Sequence, residues 1–231
     1  IPMNDKEWPD SWKVVEFKEY PRLPKIILPE PILLDRKLQD ILENRMSRRN
    51  FDTEGTLTSN DLSSLLYWSA GLRNHKDHPE MSFRFYPSGG ARYPLEIYFY
   101  FRGNEEIPEG VYHYNVKNHY LEDLRSIIGG EGIEKIKSLQ TYAFAHDAAL
   151  LFFITGIFDR NMRKYKERGY RFVLIEDGIL LESFYIISGA LGLGCCGVGS
   201  PFDNLIEEYF NLEPQHESFI GSFAIGPLNK Q

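Results

Sequence analysis

The chain has 231 residues, enough for one full domain with a sizeable core and too few for two ordinary ones. Hydrophobic residues make up 42% and charged residues 26%, a globular balance, and 26 Lys and Arg against 33 Asp and Glu leave a net charge of −7 that argues against a nucleic-acid surface. The only two cysteines, Cys195 and Cys196, are neighbours, which excludes a disulfide framework and makes a reducing cytoplasm the expected location.

Residues 1–36 carry Pro2, Pro9, Pro21, Pro24, Pro29 and Pro31, a density that prevents regular helix and predicts an extended arm lying on the domain or on a neighbour. Ile1 to Asp10 is already polar and has no apolar signal-peptide core. The domain proper is expected over 37–231. Leu38 to Met46 reads as a short helix, with Leu38, Ile41, Leu42 and Met46 on its apolar side. A second helix runs from about Asn60 to Ala70, with Thr58 or Ser59 as N-cap and Gly71 as its end. Alternation predicts a strand over Ser82–Tyr86, and Leu95–Phe101 and Val111–Tyr114 are rich in β-formers. Gly132 to Leu139 is predicted helical, and the apolar run Ala148–Thr155 is a central strand. One long helix, or two broken near Gly169, is expected from Arg160 to Leu193. Its second half is apolar nearly all round, which predicts burial on all sides and suggests a subunit interface. Glu182 interrupts the run Ile179–Val198, so a buried helix is preferred to a membrane span. Asp203–Phe210 is a further helix and Phe219–Ile225 a last strand. Helices around a mainly antiparallel sheet, without regular βαβ units, indicate an α+β fold.

The chain has no P-loop, HExxH, spaced CxxC pairs or GxSxG, and His75 and His78 lack the acidic partners of a zinc site. Three other clusters carry information. In Arg45–Phe51, guanidinium groups surround a hydroxyl, and Arg matches phosphate geometry with a fork of donors. Between two predicted strands, Pro87, Ser88, Gly89 and Gly90 shape a loop that a ligand can approach closely. After the buried helix, Gly197, Val198, Gly199 and Ser200 offer backbone N–H groups beside an apolar wall, and they lack the spacing of a Rossmann loop. Taken alone, these read equally as a solvated basic turn, a hairpin loop and packing glycines. Together they supply a phosphate clamp, a shaped loop and a backbone donor, which is what a flavin mononucleotide (FMN) site requires.

In order and content these clusters resemble the nitroreductase family, and most closely its SagB-type azoline (thiazole/oxazole-forming) dehydrogenase branch, over roughly residues 37–228. Arg45, Ser47 and Arg49 fit an R-x-S-x-R-x-F phosphate and ribityl segment. Pro87–Ala91 followed by Tyr93-Pro-Leu-Glu96 is similar to PSxGAxYPLE, and Gly110–Tyr114 followed by His119 to GlYhYdp…H. Arg163–Arg171 and Leu174–Gly178 resemble KY…RxYR…LlEaGh, with Ile179 where the branch usually has His. The resemblance implies an intertwined homodimer of nitroreductase-like fold in which the 87–90 loop reaches the flavin of the other subunit. It places Gly197–Ser200 at the flavin ring and makes Lys164 and Tyr165 the groups that remove a proton from the substrate heterocycle. The implied activity is oxidation of a thiazoline or oxazoline in a modified peptide. The alternatives are reduction of nitroaromatics or quinones with NAD(P)H as reductant, and a flavin-binding partner protein without turnover. Family members often add basic residues near the C-terminus, where this chain has Lys230. No nucleic-acid or membrane partner is expected.

Overall fold

A computed structural model describes residue 9 and residues 15–73, 82–128, 131–199 and 202–229, the side chains of 131–133 excepted. Its framework is a seven-stranded sheet made of β1 (Lys25–Ile27), β2 (Leu95–Phe101), β3 (Gly110–Asn115), β4 (Tyr120–Asp123), β5 (Leu150–Gly156), β6 (Gly194–Val198) and β7 (Ser218–Gly226). The spatial order is β1-β4-β3-β2-β5-β7-β6 and every pairing is antiparallel. The helices are α1 (Leu38–Asn44), α2 (Ser59–Ala70), α3 (Arg125–Ile128), α4 (Glu131–Ser138), α5 (Ala143–His146), α6 (Phe158–Tyr165), α7 (Arg168–Leu191) and α8 (Asp203–Tyr209). In its described part the arm turns at Pro21–Leu23, where Leu23 N–H donates to Tyr20 O, and adds β1 to the sheet edge through Ile26↔Leu121.

Both faces of the sheet are covered, so its central strands are apolar on both sides. Leu95, Ile97, Phe99 and Phe101 of β2 point into one core with Phe152 and Ile154 of β5, while Tyr98, Tyr100, Leu151 and Phe153 point into the other, as a period of two requires. The first core lies under α2 and α7. Gly169, Val173, Glu176, Leu180, Phe184 and Ser188 form the buried stripe of α7, three or four residues apart, and Phe184 packs on Phe152 and Phe223. The second core gathers Ile136, Leu139, Ile206, Tyr209 and Phe210 from α4, α8 and the adjoining turns. No helix of the described residues is long and apolar enough to cross a membrane.

Two local expectations are corrected, at Ser82–Tyr86 and in the burial of α7. Ser82–Tyr86 is not a strand: beyond the single bridge Leu72↔Arg84 it has no ladder, because the partner segment is the short exit from α2 and Pro87 closes the other end. The expected break near Gly169 is present and falls at Lys166–Glu167, where Lys166 takes φ +55°. Gly169 instead lies inside α7, where an added Cβ would come within 2.8 Å of the Asn161 and Met162 backbone, so glycine there permits the close approach of α6. Within one chain α7 is not buried on all sides, since Leu174 and Ile175 are 42% and 58% exposed.

Candidate active site

Helix α1 stops at Asn44, and Arg45 is already extended. The segment beyond it is held against β6 and the chain end: Arg48 N–H donates to Cys195 O at 3.0 Å, and Asn229 N–H to Asn50 O at 3.1 Å. Along an extended backbone, residues 45, 47 and 49 share a side. Arg45 places its guanidinium 5.4 Å over the Tyr185 ring, and Ser47 Oγ lies 2.9 Å from the Tyr185 hydroxyl. The Gly197 N–H donates to that same hydroxyl at 3.0 Å. The Tyr185 hydroxyl therefore joins Ser47 to the β6 backbone. Arg49 lies over Phe144 at 5.6 Å, and Phe144 packs on Tyr142. The first and third sequence clusters therefore converge on the end of β6. Arg36, Arg45 and Arg48 share a hollow of about 230 Å³ with Asn44, Tyr185 and Cys195. None of Arg45, Arg48 and Arg49 forms an ion pair with a described carboxylate.

The second and fourth clusters meet at another place. Ser88 opens a 3-10 turn over Gly89–Ala91, in which Gly90 takes φ +69°. Ser88 Oγ accepts from Tyr93 N–H at 2.8 Å, and Glu176 Oε1 accepts from Gly89 N–H at 2.9 Å and Asn161 Nδ2 at 3.1 Å. Burial pushes the Glu176 carboxyl up despite these donors. A side chain at Gly90 would strike the Tyr165 hydroxyl and stand 3.0 Å from Lys164 Nζ, which fixes how closely the loop passes those two groups. Lys164 is buried, and burial raises the pKa of the Tyr165 phenol. Lys164, Pro87, Ser88 and Gly90 border a cavity of about 560 Å³ walled by Phe83, Phe85, Tyr86 and Tyr93, with Arg73 and Arg84.

The loop is anchored from below by a buried charge relay. Arg160 donates to Tyr93 O at 3.0 Å and pairs with Glu96 at 2.5 Å. His113 bridges Glu96 at 3.0 Å and Glu122 at 2.7 Å. Burial pushes Glu96 up, but Arg160 and His113 outweigh it and hold the carboxyl down at about 2. Burial pulls His113 down, and the two carboxylates more than reverse this. The arm closes the relay, with Tyr20 N–H donating to Glu122 Oε1 at 2.8 Å.

Within one chain the two groupings do not merge. Glu176 and Tyr185 are nine residues apart on α7, about 14 Å along its axis at 1.5 Å per residue. Ser200, Lys230, His75 and His78 lie outside the described residues. Arg48, Tyr185 and Glu176 were not candidates from the sequence. Tyr185 had one available signal, a phenol in an otherwise apolar helix that needs a hydrogen-bond partner when buried. Among the described residues no cluster of His, Cys, Asp and Glu could hold a metal ion.

The sequence model of the nitroreductase family matches residues 42–227. A Methanocaldococcus jannaschii protein described as a nitroreductase is 32% identical over 183 residues, covering 79% of this chain and 88% of its own. A trifolitoxin-processing protein of Rhizobium leguminosarum is 30% identical and a microcin B17-processing protein of Escherichia coli 31% identical, over 60% and 55% of this chain. The chain spans only 38% and 48% of their respective lengths. The crystal structure of a Ralstonia eutropha protein described as a nitroreductase superposes with a TM-score of 0.70 at 25% identity, covering 90% of each chain. A Desulfovibrio desulfuricans protein solved in complex with FMN shares the fold at a TM-score of 0.55 and 14% identity, over 85% of this chain and 88% of the other.

Proposed function

The chain belongs to the nitroreductase family of oxidoreductases, and from that premise we propose that it binds FMN between two copies of itself and oxidises a thiazoline or oxazoline carried on a peptide. The observation that carries the cofactor reading is the convergence of Arg45, Ser47 and Gly197 on Tyr185. It fits the cofactor in two respects. Arg45, Arg48 and Arg49, none paired with a described carboxylate, suit a phosphate, which Arg binds through paired charge-assisted hydrogen bonds. Gly197 and Gly199 leave bare backbone between Leu181 and the Tyr142 hydroxyl, room for a flat ring to lie against the chain. Arg45, Arg48 and Arg49 would hold the phosphate, Ser47 the ribityl chain, and Gly197, Val198, Gly199 and Ser200 the ring.

FMN bound there would supply a two-electron hydride acceptor or donor. The rest falls to side chains. Lys164 and Tyr165 meet the substrate and hold or remove its proton, the 87–90 loop closes over them, and Glu176 fixes that loop through Gly89. The 14 Å that separates the two groupings along α7 favours a site completed by a second copy, with the loop of one chain facing the clamp of the other. The exposed apolar flank of α7 at Leu174 and Ile175 gives such a copy a surface to cover. Kinship with the two peptide-processing proteins supports the azoline substrate, and kinship with the archaeal relative supports the rival reading, reduction of quinones or nitroaromatics by NAD(P)H. A cytoplasmic location goes with either.

The test is purification and spectroscopy. A yellow dimer with stoichiometric FMN is expected, stable to NADH and bleached by an azoline peptide. Rapid bleaching by NADH supports the reductase instead. Colourless protein whose melting temperature does not respond to added FMN refutes the cofactor reading. Lys164→Ala is expected to keep its flavin and lose turnover. Loss of the flavin would move Lys164 from proton transfer into the cofactor cradle.

A further inference from the structure

Asp177, Leu181 and Tyr185 recur every four residues and so occupy one side of α7. Tyr185 meets the clamp. Leu181 packs where a Cβ on Gly197 would be, 3.5 Å away. Asp177 lies at the opposite end, eight residues or about 12 Å from Tyr185. There it lines a pocket of about 270 Å³ with Leu181, Gly197, Val198, Gly199, Gly221, Ser222 and Phe223. Its carboxylate packs so closely on β7 that a Cβ at Gly221 would come within 2.9 Å of Oδ2. Asp177 is half-buried, and among the described residues nothing hydrogen-bonds or ion-pairs with it.

We propose that Asp177 is the redox-linked proton site of the flavin pocket: its carboxylate takes up one proton when the bound flavin gains two electrons and returns it when the flavin gives them up. This rests on the reading that the flavin ring lies along Gly197–Gly199. Full reduction by dithionite would give the flavin two electrons, with one proton drawn from solvent, and would leave it anionic. A second proton, drawn from solvent, forms the O–H bond on Asp177 and cancels the added charge. The physical cause is like-charge repulsion across a pocket that a bound ring would close to water, which disfavours the ionised carboxylate beside an anion. Burial alone already lifts this carboxyl to about 6, where a modest further push carries it across neutral pH. Among the described residues the pocket contains no competing titratable group. Its other lining residues, from α7, β6 and β7, are all uncharged. Glu176, the chain neighbour, turns its Oε1 to Gly89 and Asn161 instead. The Tyr142 hydroxyl, 4.0 Å from a Cβ placed on Gly199, is the next titratable group.

The test measures the midpoint potential of bound FMN from pH 6 to 8.5, in dye-equilibrated dithionite titrations of the full chain and of Asp177→Asn. The native protein is expected to take up about two protons per two electrons in this range and Asp177→Asn about one, so the pH slope halves in the variant. Asp177→Ala, which removes the group altogether, is expected to follow Asp177→Asn. Equal slopes in all three proteins would overturn the proposal while leaving the flavin site intact. If the protein binds no FMN, the proposal falls together with the cofactor reading. A halved slope in Tyr142→Phe, with Asp177→Asn unchanged, would assign the proton to the phenol and refute Asp177.

Discussion

Removing one oxygen tests whether Tyr185 ties the clamp to β6. Tyr185→Phe keeps the ring under Arg45 and deletes the hydroxyl that receives Gly197 N–H at 3.0 Å and reaches Ser47 Oγ at 2.9 Å. Each hydrogen bond is worth about 0.5–1.5 kcal/mol net, and a partly buried N–H left without an acceptor falls toward the upper end. The expected loss is about 2 kcal/mol, which at a urea dependence of about 2 kcal/mol/M moves the unfolding midpoint down by about 1 M. The assay is urea unfolding of the flavin-free chain, followed by FMN fluorescence quenching to read affinity, which should weaken about tenfold or more. Tyr185→Leu should cost a further 0.5–1 kcal/mol or so, because the face of the ring under the guanidinium goes as well. If Tyr185→Phe shifts the midpoint by less than about 0.2 M and leaves FMN affinity unchanged, Tyr185 is not the tie and the convergence is incidental.

Gly90→Ala should destabilise by about 2–4 kcal/mol, through the left-handed backbone and the collision with Tyr165, whereas Gly178→Ala, mid-helix with open space around it in the chain, should gain about 0.5–1 kcal/mol; thermal melts of the two should move in opposite directions. His113→Gln leaves Glu96 and Glu122 facing each other in the interior and should cost about 3–5 kcal/mol by urea unfolding. The His113 pKa is raised by folding, so the stability it brings is complete below about pH 6.5 and lost as pH climbs through its higher folded value; the native midpoint should fall over that range, and the variant should lack the fall. Asp177 runs the other way from an ordinary carboxylate: folding raises it to about 6, the folded chain binds the extra proton between about pH 4 and 6, and stability declines with pH across that window and stays low above it. Asp177→Asn should therefore raise the stability of the flavin-free chain at pH 7.5, by up to about 3 kcal/mol, and leave it nearly unchanged at pH 4, where a native chain with equal stability at both pH values would refute the assignment.

The fold was most legible where local preference and burial agree. Leu95–Phe101 and Ala148–Thr155 read as strands because β-formers run along both faces, and β2 and β5 do lie inside the sheet. Helix α2 was bounded by its cap, Thr58 Oγ1 accepting from Asp61 N–H. The strands that were not legible are those imposed by their partners. Gly194-Cys-Cys-Gly-Val198 has little β preference and becomes β6 only by pairing with β7, with Cys195 opposite Ile225. Tyr120-Leu-Glu-Asp123 ends in two acids that suggest a solvated turn, yet Glu122 is taken up by His113 and Tyr20, and Asp123 by Arg125. Ser82–Tyr86 shows the converse, an alternating segment with no strand to pair with.

For the site, composition carried the residue types and the three-dimensional crossing of elements decided the contacts. Arg45, Ser47 and Gly197 were chosen because guanidinium, hydroxyl and bare backbone suit a phosphorylated ring, and nothing in their spacing names Tyr185 as the group that joins them. Helix α7 explains why. Its buried stripe, from Gly169 to Ser188, follows the apolar pattern and serves packing, whereas Asp177, Leu181 and Tyr185 follow the same fourfold repeat on an adjacent side that faces β6. A purely structural helix gains nothing from a carboxylate at 177, which is half-buried without a described partner and so loses part of its hydration. A local choice that conflicts with its surroundings is expected where function requires it. On the proton-site reading Asp177 is such a choice, whereas Glu176 beside it anchors the loop through Oε1, which has Gly89 and Asn161 as donors, and keeps a buried Oε2 without a described partner. The two acids are adjacent in sequence and indistinguishable there by composition. Only the direction each takes from the helix, one toward the loop and one toward the bare end of β6, separates the residue that anchors the loop from the one that lines the pocket.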